Sequence, residues 1–275
     1  MEQMLLEVKN LSFAYEEKKV LKNVNFAVRR GERVAVMGSN GAGKSTFFLN
    51  LNGVLQADSG EIFLEGKKIG KKDFLELRKR VGFVFQDADS QMLASNVRAE
   101  ISFGPMNLGL SRDEVKERVD EVIQYLSLSD LQEKAPHYLS GGEKKRVSIA
   151  DILAMKPDVL IFDEPMAALD PVNAGKVEGI LKSLHKRGKT LIIATHDVDF
   201  AYRFADRIVV FCDGKLIADE IPGVLFGMEE IMQQAHLKKP AVLEIWEALI
   251  AAKYVSGDGA FPVTSKEAVR KILCA

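Results

Sequence analysis

The sequence predicts an α/β protein that ends in a helical tail, and three observations lead there. Short apolar or alternating runs recur along the chain with helix-period segments between them. A glycine-rich loop joins one of these runs to the start of a helix, and another run ends in two adjacent carboxylates.

Six runs read as strands: Val24 to Val28, Arg33 to Met37, Gly82 to Phe85, Val159 to Phe162, Leu191 to Ala194 and Ile208 to Phe211. The last is followed by Asp213-Gly214 and then Leu216 to Ala218, the pattern of a tight hairpin. Helices are marked by their ends. Ser111 with Glu114 makes a capping box, after which Val115, Val119, Val122 and Leu126 share one face. Val177, Ile180, Leu181 and Leu184 form a second stripe on a helix that closes with His185-Lys186-Arg187 and Gly188, cations and a glycine in favoured places. Beyond about Gly223 the strand signals stop and two further helices are expected. One carries Val242, Ile245, Trp246 and Leu249 after Pro240, and the other is capped by Thr264 with Glu267.

At 275 residues, 47% apolar and 28% charged, the chain can bury a full core, which excludes a disordered protein. Its 38 basic and 39 acidic side chains nearly cancel, so no overall field draws it onto nucleic acid or anionic lipid. Cys212 and Cys274 lie far apart without a CxxC companion, which signals neither a zinc site nor a disulfide framework and fits a reducing compartment. The N-terminal residues lack a signal-peptide pattern and no run approaches the ~20 apolar residues of a membrane span. A soluble chain is expected, reaching a membrane only through partners that span it.

Gly38-Ser39-Asn40-Gly41-Ala42-Gly43-Lys44-Ser45 matches GxxxxGK[ST] between the run Arg33 to Met37 and the apolar Phe47-Phe48-Leu49. Glycines let successive backbone N–H groups point at a polyphosphate, and a helix starting near Lys44 adds its positive end. Lys44 is expected to reach the β- and γ-phosphates and Ser45 to ligate Mg²⁺; Thr46 is counted with the loop. The run ending in Asp163-Glu164 suits Asp163 to a water-mediated Mg²⁺ contact and Glu164 to polarising an attacking water. His196, after Leu191 to Ala194, emerges at a strand end on the same edge.

Leu139-Ser140-Gly141-Gly142-Glu143 opens another helix, with Ser140 and Glu143 spaced as a capping box. Two glycines in its first turn leave backbone N–H groups uncovered, making a second phosphate-binding surface on a chain that already has one. One nucleotide does not easily use both from the same chain. Two chains packed head to tail, each closing its helix start over the other's nucleotide, resolve this.

With its LSGGE segment, the chain resembles the ABC ATPases across about residues 5 to 220. The resemblance implies a phosphate-loop NTPase domain with a RecA-like core, an antiparallel β-subdomain and a helical signature subdomain, followed by a short C-terminal helical extension. The boundaries expected are 1–222 for the ATPase domain, about 96–155 for its helical part, and 223–275 for the extension. ATP and Mg²⁺ are the implied cofactors. In family order, Tyr15 resembles the aromatic that stacks on adenine and Gln86 the glutamine that senses Mg²⁺ and the transmembrane partner. Ala168-Leu169-Asp170 resembles the loop that touches the opposite subunit, and His196 the histidine that contacts the γ-phosphate. Met166, where threonine is usual, and Asp151, where a small residue is commoner, depart from the pattern without removing a catalytic group.

The segments Gln86 to Met92 and Ile101 to Leu110, with Asn50 to Leu55, look like the energy-coupling-factor importers, especially the cobalt and nickel ATPases. That resemblance implies a second ATPase chain, identical or a paralogue, a transmembrane scaffold and a separate substrate-capture subunit, at the cytoplasmic face of the cell membrane. Metal ion or vitamin is the implied cargo and nucleic acid is not a partner. Asp87 and Asp89, just after Gln86, are expected to meet basic residues of the scaffold. A soluble ABC ATPase of DNA repair or translation is the rival, but the paired ATPase units, coiled coil and cysteine pairs of such proteins are not in the sequence. A small-molecule kinase would leave Leu139 to Glu143 unexplained.

Overall fold

The computed structural model describes residues 4–273. β1 (Met4–Tyr15) and β2 (Lys18–Arg29) form a long hairpin, and β3 (Arg33–Met37) leads through the glycine-rich loop into α1 (Lys44–Leu51). β4 (Ser59–Leu64), the short β5 (Lys67–Lys68), α2 (Phe74–Arg80) and β6 (Val81–Val84) follow. Three helices come next: α3 (Val97–Asn107), α4 (Arg112–Tyr125) and α5 (Gly141–Ala154). The chain then alternates through β7 (Val159–Asp163), α6 (Pro171–Lys186), β8 (Thr190–Ala194), α7 (Val198–Phe204), β9 (Arg207–Cys212) and β10 (Lys215–Glu220). It ends in α8 (Pro222–Leu225), α9 (Glu229–Gln234), α10 (Ala241–Ala251) and α11 (Ser265–Leu273).

The strands make two sheets, an antiparallel one in the order β2-β1-β4-β5 and a six-stranded one in the order β10-β9-β3-β8-β7-β6. In the second, β6, β7, β8, β3 and β9 run parallel and β10 pairs antiparallel with β9. Parallel strands are covered on both faces and so read as nearly continuous apolar runs, which made them legible in sequence. Their alternate residues divide between layers. Val34, Val36, Val159, Ile161, Ile192 and Val209 face the antiparallel sheet and Phe47, Phe48 and Leu51 of α1. Leu160, Phe162, Leu191 and Ile193 face α3 to α6 on the other side. Ala35, Met37, Ile208 and Val210 pack with Tyr202, Leu225, Phe226, Met232 and Leu243.

The capping boxes at Ser111 and Ser140 form, each hydroxyl accepting from the Glu amide three residues on while the Glu carboxylate accepts from the serine amide. The hairpin at Asp213-Gly214 also forms, with both residues at positive φ. Several expectations need correction. β6 stops at Val84, and Phe85 lies outside it, partly exposed. Among the described residues the tail holds four helices rather than two, because α8 and α9 are too short to show a helical period. In α10 the buried positions are Leu243 and Trp246, whereas Ile245 is 58% exposed. β1 escaped the sequence reading because its register breaks between Val8 and Leu11 against β2 and between Lys9 and Ser12 against β4, with Asn10 at φ 52°, which interrupts the alternation. Cys212 is buried, and Cys274 lies outside the described residues.

Candidate active site

Four parallel strands deliver the site from their C-terminal ends: β3 carries the glycine-rich loop, β6 leads to Gln86, β7 ends at Asp163-Glu164 and β8 leads to His196. Open α/β sheets present ligands at this edge because the strand ends, and the helix N-termini that follow them, converge there. A cleft of about 590 Å³ is lined by Tyr15, Asn40, Gly41, Gly43, Lys44, Ser45, Thr46, Gln86, Asp163 and Glu164.

The loop needs its glycines for stated reasons. Gly38 has φ 136°, and a Cβ there would stand 2.1 Å from the carbonyl oxygen of Phe211. Gly43, the residue before α1, has φ 104° and packs beside Gly214. The β9–β10 turn braces the loop, since the amide of Gly214 donates to Ala42 O at 3.1 Å and Lys22 donates to Gly214 O at 2.8 Å. Asp213, Gly214, Lys18, Lys19 and Lys22 also line the cleft, and sequence reasoning missed them. The Asp-Gly turn was visible as a hairpin, but its contact with the loop depends on tertiary packing.

Within the cleft, Lys44 folds back so that Nζ donates to Gly38 O at 2.8 Å and Ser39 O at 3.0 Å. Burial pushes this ammonium below its ordinary pKa, while the charges of Glu164 and Asp163 pull it upward. Ser45 Oγ donates to Asp163 Oδ2 at 2.6 Å, and Asp163 is only 7% exposed. Glu164 has φ 44°, a left-handed conformation rare for a side-chain-bearing residue and frequent at functional sites. His196 Nδ1 lies 2.9 Å from Glu164 Oε2 with its own side chain 78% exposed, so it is not a packed core histidine. Tyr15, 47% exposed, meets Phe13 edge to face at 4.9 Å and keeps an open face for an aromatic ligand.

These residues suit a metal-bound nucleotide. Ser45, Asp163 and Gln86 all line the cleft and offer hard oxygen donors, the donor type a divalent cation takes together with phosphate and water. A glycine-rich loop, a helix start and Lys44 provide the anion side.

Ser140, Gly141, Gly142, Glu143 and Asp170 do not line this cleft, among the described residues. They form a second cluster. Asp170 caps α6 by accepting from Val172 and Asn173 amides, and Asn173 packs against Gly142 so closely that a Cβ there would come within 2.3 Å of Asn173 Cγ. Gly141 opens onto free space. The two glycines therefore differ: one presents backbone outward, and the other admits a neighbouring helix.

Lys145, another residue unnoticed in the sequence, is 3% exposed and donates to Phe85 O at 2.9 Å and Gln86 O at 2.6 Å. Burial pushes its pKa down to about 8 against the pull of Asp87 and Asp163. Its signal was a lysine on the apolar face of α5, four residues before Ile149. Asp89, expected to face a scaffold, pairs with Lys144 at 2.5 Å within the chain and keeps its side chain 66% exposed. Of the two family departures, Met166 packs against the helical core, and Asp151 buries Oδ1 without a partner.

Residues 21–167 match the family model for the ABC transporter. A putative ABC transporter ATP-binding protein of Methanosarcina acetivorans is 49% identical over 248 residues, 89% of this chain and 76% of its own. The energy-coupling factor transporter ATP-binding protein EcfA of Methanocaldococcus jannaschii is 46% identical, covering 89% of each chain. Among solved structures, cbiO1 of Clostridium perfringens, part of the ABC transporter complex cbiONQ, superposes with TM-score 0.75 at 38% identity, covering 90% of this chain and all of its own. A dimeric ATP-binding cassette in a post-hydrolysis state with ADP and Pi superposes with TM-score 0.71 at 30% identity, covering 79% of this chain and 98% of its own. With its phosphate loop, paired carboxylates and LSGGE helix start set on this fold, the chain belongs to the ABC transporter family, as an ATP-hydrolysing subunit that uses ATP and Mg²⁺.

Proposed function

We propose that this chain is the ATPase of an energy-coupling-factor importer and works as a dimer, of two copies or with a related paralogue, closed around two ATP. The observation that carries the dimer is the separation just described. The helix start at Ser140 to Glu143 and Asp170 lies outside the cleft that gathers Tyr15, the phosphate loop, Gln86, Asp163 and Glu164. A partner's helix start would complete that cleft. The dimeric cassette among the similar structures supports the same arrangement.

In this reading residues 1–222 are the ATPase domain, residues 96–155 its helical part, and 223–275 the extension. Tyr15 stacks on adenine, and residues Gly38 to Thr46 hold the phosphates through backbone N–H groups and the Lys44 charge. Ser45, Gln86 and Asp163 would hold Mg²⁺, which supplies charge neutralisation to the phosphates when bound. Glu164 orients and polarises the attacking water, and His196 keeps the Glu164 carboxylate aimed at it while reaching the γ-phosphate. Loss of that phosphate weakens the grip between chains, and their parting is the coupling stroke.

The EcfA and cbiO1 likenesses support transmembrane partners: a scaffold that receives the stroke and a capture subunit for a metal ion such as cobalt or nickel, or for a vitamin. Membrane contact is made through those partners at the cytoplasmic face, and no helix among the described residues is long and apolar enough to cross a membrane. Isolation of the chain from membranes with its associated subunits tests this. Recovery with a scaffold and a capture protein is expected, and ATPase stimulation by DNA or ribosomes instead would overturn it.

A further inference from the structure

Two consecutive lysines of α5 reach back to the segment that follows β6. Lys145 Nζ donates to the carbonyls of Phe85 and Gln86, and Lys144 Nζ meets Asp89 Oδ1. The amide of Asp89 in turn donates to Asp87 Oδ1, folding the segment into a tight turn. At its far end the amides of Leu93 and Ala94 donate to Glu100 of α3. The segment from Phe85 to Ala94 is thereby fastened at one end to α5, which Ser140 to Glu143 open, and at the other to α3.

A buried ammonium is costly unless it is well paired, and methionine would fill the same volume without that cost. Lys145 spends its charge on two main-chain oxygens, one of them belonging to Gln86. The first turn of α5 does not line the cleft, while the Lys145 side chain grips Gln86, which does.

We propose that Lys145 is a positioning residue for Gln86, fastening the glutamine segment to the signature helix so that docking of that helix on a partner's nucleotide moves Gln86 in this chain's own cleft. The proposal rests on the reading of Gln86 as a nucleotide-metal contact. It assigns the link between the two sites to a side chain that touches neither ligand.

The test compares K145M, which keeps length and loses all donors, K145Q, which keeps one donating group, and Q86A, all in the full chain. Hydrogen exchange of the nucleotide-free protein should quicken in the peptide spanning residues 84–92 in K145M, less so in K145Q, and stay unchanged in the phosphate loop. Turnover should fall about tenfold in K145M, with partial rescue in K145Q, while affinity for ATP measured without Mg²⁺ stays within about twofold of the parent. Wild-type exchange and turnover in K145M would overturn the proposal. So would a loss of Mg²⁺-free ATP affinity equal to the loss of turnover, because the lysine would then be supporting the fold alone. If K145M does not fold, K145Q decides by the same readouts. Q86A with unaltered turnover would remove the reading of Gln86 itself, whereas an impaired Q86A beside a normal K145M removes only the link.

Discussion

Nδ1 of His196 stands 2.9 Å from Oε2 of Glu164, joining the chain just beyond the ends of β8 and β7. The contact holds a carboxylate whose backbone is already in a left-handed conformation, so two constraints aim one side chain. Replacing Glu164 by glutamine keeps the shape and removes the base. Turnover is expected to fall by about a hundredfold or more while ATP still binds, and size-exclusion chromatography should recover an ATP-dependent dimer. A monomer that turns over at the parent rate would contradict the shared site.

The two glycines of α5 separate structure from function. Alanine at Gly142 meets Asn173, and overpacking of this kind costs about 1–3 kcal/mol, read as a lowered melting temperature. Alanine at Gly141 meets nothing within 4 Å in its own chain and should leave the melting temperature unchanged. Its ATPase activity should nonetheless fall, because in the proposed dimer the added methyl group occupies the face offered to a partner's nucleotide. Full activity in Gly141→Ala would show that this face is not used.

Tyr15 presents an open ring at the cleft, so Tyr15→Ala should weaken nucleotide binding through loss of stacking worth about 1–3 kcal/mol. Turnover at saturating ATP should change little, since the proposed role of the ring is to hold the base rather than the reacting phosphate. Titration with a fluorescent ATP analogue, set beside the steady-state rate, checks both halves.

Asp151 lies on α5 with its carboxyl held well above the usual carboxylate range, by burial first and by the nearby charge of Glu100 second. The folded chain therefore keeps a proton that the unfolded chain gives up at about pH 4. Folding is thus increasingly disfavoured as pH rises from that value toward the raised one. Asp151→Asn has no proton to lose, so its melting temperature should exceed the parent's by more at about pH 8 than at about pH 5. An advantage of equal size at both would contradict the buried-acid account.

The alternating architecture was legible because the parallel strands are covered on both faces and read as apolar runs. The glycine loop, Asp163-Glu164 and the capping box at Ser140 were legible because each is contiguous, and its chemistry is written in neighbouring residues. β1 was not, since its broken register at Asn10 hides the strand period. Lys145, the bracing turn at Gly214 and the packing of Asn173 on Gly142 were not, because each joins segments distant along the chain.

From residue order alone came the fold class, the glycine-rich loop and the capped helix start at Ser140, since local spacing sets both helix starts and strand ends. Only the tertiary structure decided which residues share a cleft and which stand outside it. That division depends on how sheets and helices stack around a common core. It leaves Ser140 to Glu143 and Asp170 out of the cleft that the loop of their own chain lines.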